Sequence, residues 1–251
     1  MGIDRPELRR VLGTSARLWA HTHHDVHTDW WLALSGESNL NYNVACCASS
    51  TSGVLTACCL EPVLQLGKPA IIMLAGPGLA TAHSLVQAGW ACIGALPLMA
   101  LIQRPVLEHV DRSGVRPLEQ DDLSAARKIL ERSYALDPGS SVAAIPDGVV
   151  GRSDIGAWGV HKDGRMVGCL TTVIESGFVV IWSMAVLPQQ QGRGHGRRLL
   201  SRALSSHFDR GAHGSLLHSS AVGERLYRSF GYEPIEYWQL WSRPRWALGR
   251  A

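Results

Sequence analysis

Charge is scarce in this chain. Only 18% of its 251 residues are Asp, Glu, Lys or Arg, and the net charge of +3 is too small to argue for a nucleic-acid partner. With 46% apolar residues the composition is that of a globular protein. The length suits one large domain or two modest ones, with ample core either way. Metal-type cysteine spacing is missing as well. The cysteines at 46, 47, 58, 59, 92 and 169 include two adjacent pairs and no C-x-x-C, so reduced, buried thiols are expected. Nothing at the N-terminus reads as a secretory leader, because MGIDRPELRR is charged throughout, and Pro6 breaks the myristoylation pattern. A cytoplasmic location is the expectation.

From Pro69 to Gln103 no Asp, Glu, Lys or Arg occurs, which raises the question of a membrane span. Gly76-Pro77-Gly78 interrupts the run. The pieces read as a strand over 70–75, a helix over 79–88 capped by Gly89, and a strand over 92–101, a buried β-α-β sequence with no membrane partner.

Upstream, Pro6 suits the first turn of a helix within residues 6–20 that shares Leu8, Val11, Leu12 and Ala16 on one face, with Gly13 as its weak point. His21, His23, His24 and His27 surround Asp25. Were that segment helical, His23 and His27 would stand at i, i+4, a spacing that can ligate a metal, but no H-E-x-x-H or cysteine pair accompanies them and no metal is expected. Residues 29–34 and 41–47 read as strands, and 53–65 as an apolar helix ending near Gly67.

The most informative stretch is FVVIWSMAVLPQQQGRGHGRRLLSRAL, residues 178–204. Phe178 to Val186 is apolar except for Ser183, the pattern of a strand buried on both faces, and Pro188 stops it. Apolar residues at 199, 200, 203 and 204 mark one face of a helix. Between them Gly192, Gly194 and Gly196 leave successive N–H groups uncovered at a helix N-terminus. Such a turn binds phosphate, or is merely tight. A dinucleotide fingerprint would need an acidic residue about 20 positions on, and a nucleotide-triphosphate loop would need Gly-Lys-Ser/Thr. Both are absent. Arg193, Arg197, Arg198 and Arg202 cluster here, and a phosphate-rich cofactor explains them more simply than a polynucleotide.

This stretch resembles motif A of the GNAT superfamily of N-acetyltransferases, whose Gln/Arg-x-x-Gly-x-Gly/Ala pattern is met by Gln191, Gly194 and Gly196. Leu226-Tyr227-Arg228-Ser229-Phe230-Gly231-Tyr232 is similar to the family's Leu-Tyr-x-x-x-Gly-Phe segment. The resemblance implies a GNAT acyltransferase fold of the α/β class, a mixed sheet flanked by helices, and acetyl-CoA as cosubstrate. It implies pyrophosphate binding by the main chain of Gln191, Gly192, Arg193, Gly194, His195, Gly196 and Arg197. Met184, Ala185 and Val186 would hold the pantetheine arm and polarise the thioester carbonyl. Tyr227 would protonate the departing thiolate.

A base for the amine is not marked, because the strand before the turn carries no Glu. His218 and Ser219 at the end of the next strand, Glu175 beyond a hairpin, and a water chain remain candidates, with His218 favoured by its pKa range. The acceptor is expected to be a small-molecule primary amine, attacked directly in a ternary complex, with Trp30, Trp31, Trp158 and Trp182 as apolar walls. Acetylation of a protein lysine or N-terminus, or a coenzyme A-binding module without catalysis, are the alternatives. A homodimer stays open.

Glu108 to Gly114 is the most polar linker and sets the expected boundary, with domains at 1–110 and 115–251. After it, Asp121 can cap a helix with Leu123, Ala126, Leu130 and Tyr134 on one face; residues 137–154 form a loop near the acceptor; and Asp163-Gly164 joins strands 157–161 and 166–174 as a hairpin. The first half also looks like a degenerate copy of the second. Setting Gly89-Trp90 against Gly231-Tyr232 puts Leu85 at Tyr227's place, and Ala48-Ser49-Ser50-Thr51-Ser52-Gly53 stands where a glycine turn would belong.

Overall fold

The computed structural model describes residues 4–105 and 111–247, so 106–110 of the expected linker lie outside the described residues. They form two compact units, one of Met1–Met99 with Pro234–Ala251 and one of Ala100–Glu233.

In the first unit, Asp4 accepts the N–H of Glu7 at 3.4 Å and Pro6 pre-sets the first turn of α1 (Arg5–Ser15). Gly13 is less a weak point than a contact, since a Cβ there would lie 2.5 Å from Cγ of Trp31. β1 (His23–Val26), β2 (Trp30–Leu34) and β3 (Asn43–Cys47) pair antiparallel in turn. α2 (Ser52–Val54), a π-helical turn (Leu55–Leu60) and α3 (Glu61–Leu66) make one helical run that Gly67 ends at φ +66°. β4 (Ile71–Leu74) lies parallel to β3, and α4 (Ala82–Gln87) leads to β5 (Ala91–Leu101). Leu32, Ala45, Cys47, Leu55, Cys59, Val63, Ile72, Leu74, Leu85 and Trp90 share one buried cluster.

The second unit comprises β6 (Val115–Pro117), α5 (Leu123–Tyr134), β7 (Ile155–Lys162), β8 (Arg165–Glu175), β9 (Phe178–Val186), α6 (His195–Asp209), β10 (Gly214–His218) and α7 (Ala221–Arg228). Its strand order is β10-β9-β8-β7-β6. Asp163 and Gly164 take φ +50° and +74°, and Lys162 faces Arg165 across them, a two-residue hairpin turn. Val167 to Val173 are buried without a break, so both faces of β8 are covered, and α5 and α6 pack on it. At the start of α5 it is Asp122, not Asp121, that accepts the N–H of Glu119, at 2.8 Å.

Last come β11 (Glu233–Ser242) and α8 (Pro244–Ala247). Sequence order suggests that they belong with 115–251, yet they group with the first unit. β11 runs antiparallel to β4, pairing Gln239 with Leu74 and Trp241 with Ile72, in the strand order β1-β2-β3-β4-β11-β5. Glu236, with its side chain 7% exposed, accepts Nε and Nη2 of Arg9 at 2.7 Å each and Nε1 of Trp238 at 2.6 Å. A buried carboxylate needs that many donors, and the pairing fixes β11 against α1.

Some expectations change here. His23 lies on a strand, so it shares no helical face with His27; His27 instead contacts Asp25 at 3.1 Å and stacks on Trp30. No metal-ligating group of three or more occurs among the described residues. Cys46, Cys47, Cys59 and Cys169 are buried, but Cys58 is half-buried and Cys92 exposed. Trp31 and Trp158 are core residues at 1% and 5% exposure rather than pocket walls. No described helix is long and apolar enough to cross a membrane.

Candidate active site

The site begins where two parallel strands part. β9 pairs with β10 only from Phe178 to Ile181, opposite Gly214 to Leu217, although β9 continues to Val186. At the same point β9 carries a β-bulge: Thr172 faces Ile181 and Thr171 faces Ser183, so Trp182 is the inserted residue. A bulge bends and twists its strand. Among the described residues, 182–186 therefore run beside β8 with no parallel neighbour, leaving a strand edge that an extended, amide-bearing ligand can join.

Val186 is followed by a short turn from Pro188, after which Gly192 and Gly194 adopt φ +73° and +83°. Only glycine takes that conformation freely, and at both positions a Cβ would meet nothing within 4 Å. The cradle is thus open. α6 starts at His195, and no hydrogen bond among the described residues takes up the N–H groups of 192–197. Successive free N–H groups at the positive end of a 15-residue helix are an arrangement that can bind an anion.

Side chains around this turn have other duties. The His195 imidazole is 5% exposed with neither nitrogen hydrogen-bonded, and burial, then Arg198, Lys162 and Arg193, lower its pKa. Arg197 donates to Ser229 Oγ at 2.8 Å and lies over Phe230, Arg198 pairs with Asp111 at 2.8 Å, and Arg202 lies over Trp158. Of the four clustered arginines, Arg193 alone has no partner among the described residues. Gln191 donates through Nε2 to the carbonyl of Val186 at 3.1 Å, tying the turn to the strand.

Tyr227 stands on α7, which Ser220 caps by accepting the N–H of Gly223. Gly223 clears room for its ring, since a Cβ there would lie 2.9 Å from Cε2. Tyr227 is 7% exposed, its ring edge-on to Tyr232 at 5.6 Å, and its hydroxyl makes no hydrogen bond among the described residues. Burial, and secondarily the phenol of Tyr134, push its pKa well above the usual tyrosine range. It therefore holds its proton at any working pH.

The other candidates fare differently. His218 ends β10, half-buried, beyond the last residue paired with β9. Ser219 is fully buried, and its hydroxyl donates to the carbonyl of Ser220 at 2.8 Å. Glu175 faces Phe178, at the opposite end of β9 from the parting strands. That distance removes Glu175 from the site.

Two contributors carried no mark in the sequence. Ser133 and Tyr134, at the end of α5, donate to the carbonyls of Val186 and Met184 at 3.1 and 2.8 Å. Tyr134 reads as a core residue by periodicity, but 51% of its surface is exposed while its hydroxyl is buried on the strand.

The first unit has a similar strand order without the parting. Its β2, β3 and β4 have the same antiparallel-then-parallel order as β8, β9 and β10, but Cys47 pairs with Leu74 to the end, and the N–H of Ala75 bonds the Cys47 carbonyl at 3.0 Å. Gly78 packs so tightly there that a Cβ would sit 2.1 Å from that oxygen. Two helix ends share one kind of cap: Trp90 N–H bonds Leu85 O at 2.9 Å beside Gly89, and Tyr232 N–H bonds Tyr227 O at 3.2 Å beside Gly231. Leu85 and Tyr227 hold the same place in their caps.

Residues 153–234 match the family model of an acetyltransferase (GNAT) domain. The fold is that of GNAT structures across both units. A GCN5-related N-acetyltransferase from Kribbella flavida is 20% identical with a TM-score of 0.71, covering 97% of this chain and 96% of that one. Another from Sphaerobacter thermophilus is 14% identical with a TM-score of 0.61, covering 95% and 92%. No curated protein matches this sequence.

Proposed function

We propose that this protein is an acetyl-CoA-dependent N-acetyltransferase acting on a primary amine of a small molecule. The observation that carries the reading is the coincidence of three features in one place: the parting of β9 from β10, the bulge at Trp182, and the open row of N–H groups from Gly192 to Arg197. These fit a ligand that ends in phosphates and continues as an extended amide chain. Residues 192–197 would hold the pyrophosphate, and the edge of 182–186 that β10 leaves unpaired would hold the arm. Bound there, acetyl-CoA supplies an activated acyl thioester.

The chain's own residues do the rest. Outward N–H groups of the β9 edge would polarise the acyl carbonyl. Tyr227 would deliver a proton to the leaving sulfur. The phenol's raised pKa does not forbid this, because the burial that penalises a phenolate penalises a thiolate in the same crevice. His218, at the end of β10, is the favoured side-chain candidate for taking the proton of the attacking amine, with Ser219 beside it. The matching caps of Leu85 and Tyr227 support a tandem origin in which the first unit has lost its crevice and its tyrosine.

Thiol release from acetyl-CoA, followed with a panel of small primary amines and a lysine-containing peptide, tests the reading. Release that depends on a small amine, with the acetylated product seen by mass, is expected. Release with the peptide alone would shift the acceptor to protein, and binding without release would make the protein a coenzyme A-binding module.

A further inference from the structure

The strand edge assigned to the arm is not bare. Met184 and Val186, two residues apart, turn their carbonyls the same way along β9, and each accepts a side-chain donor, Tyr134 Oη on one and Ser133 Oγ with Gln191 Nε2 on the other. Hydroxyl and amide groups thus stand where the N–H groups of a neighbouring strand would be. Tyr134 is the donor best able to leave. It is the last residue of α5, before Ala135 at φ +50°, and half of its surface is exposed, more than a core tyrosine would show.

We infer, resting on the cofactor site proposed above, that Tyr134 is a residue of that site which competes with the cofactor's arm: its hydroxyl keeps the Met184 carbonyl satisfied until an amide N–H of the arm replaces it. The phenol and the arm cannot both donate along that carbonyl's outward direction with good geometry. Binding must break the first bond to make the second, and the exchange holds affinity below what the edge would otherwise give. The raised pKa of Tyr134, caused by burial, keeps it a donor throughout the working range. After exchange the phenol is released into the crevice beside Tyr227, whose pKa already reflects its neighbourhood.

Calorimetric titration of wild type and Tyr134→Phe with two ligands decides the matter: coenzyme A, which has the arm, and adenosine 3′,5′-bisphosphate, which lacks it. The variant removes one hydroxyl from a half-exposed ring, and its melting temperature is recorded alongside to confirm folding. Competition predicts that Tyr134→Phe binds coenzyme A roughly 5-fold tighter, the worth of one neutral hydrogen bond no longer broken. It also predicts equal affinity of both proteins for the bisphosphate. A purely structural tyrosine would change both ligands alike or neither, and a tyrosine that holds the arm would make coenzyme A bind more weakly; either result overturns the inference and leaves the cofactor site standing. If wild type binds neither ligand, the cofactor site itself falls, and this inference with it.

Discussion

Replacing Tyr227 with phenylalanine is expected to lower kcat about 100-fold, the lower end of what a positioned proton donor contributes, while leaving the Kd for acetyl-CoA essentially unchanged. The separation of the two parameters matters more than the size of the loss. Ring packing survives the substitution, since the edge-on contact with Tyr232 and the space cleared by Gly223 involve ring carbons. Only the hydroxyl is lost, and no other described group hydrogen-bonds it. Steady-state rates and direct titration of the same preparation check this. A kcat equal to wild type would mean that Tyr227 only packs.

Acidification is expected to destabilise the protein through His207, which α6 places beneath β7 and β8. Its ring is 2% exposed, Nε2 lies 2.8 Å from Thr172 Oγ1, and Nδ1 has no hydrogen bond. Burial, and then Arg210, pull its pKa down from 6.5 to about 4. The folded value is the lower one, so the fold holds neutral imidazole. Stability from this group is full above the unfolded value and is lost as pH falls toward the folded one, because the unfolded chain binds a proton that the folded chain refuses. At 1.36 kcal/mol for each tenfold disadvantage, the loss reaches about 3 kcal/mol at pH 4. Urea unfolding at about pH 7.5 and about pH 4, compared between wild type and His207→Gln, isolates the effect from other acid-sensitive groups. The glutamine variant should lose markedly less stability between the two conditions. An identical loss in both proteins would clear His207.

The second unit is more legible in sequence than the rest for a physical reason. A strand buried on both faces, a turn that needs left-handed backbone and a one-faced helix each impose their own residue pattern, so residues 178–204 announce β9, the turn and α6 with few alternatives. The hairpin at Asp163-Gly164 is legible likewise, because its turn type needs positive φ at both positions. β11 could not be placed this way. Nothing local tells a ten-residue strand that its partner is β4 rather than a strand of its own half; the pairing depends on Arg9, more than two hundred residues away, meeting Glu236. The i, i+4 spacing of His23 and His27 has meaning only on a helix, and His23 lies on a strand. Tyr134 was hidden by the reverse problem, a helical periodicity that put it in the core when its hydroxyl reaches past the helix end to a strand carbonyl. The bulge at Trp182 leaves no mark at all in an otherwise continuous apolar run.

The most direct measurement is titration of acetyl-CoA into wild type and Gly194→Val. Gly194 holds φ +83° at the helix start, and valine there both strains the turn and fills the open cradle. The account predicts clear binding by wild type and a loss of at least about 100-fold in the variant, the worth of one or two charge-assisted hydrogen bonds to phosphate. Wild type that takes up no acetyl-CoA at millimolar concentration, or a valine variant that binds as wild type does, would contradict it.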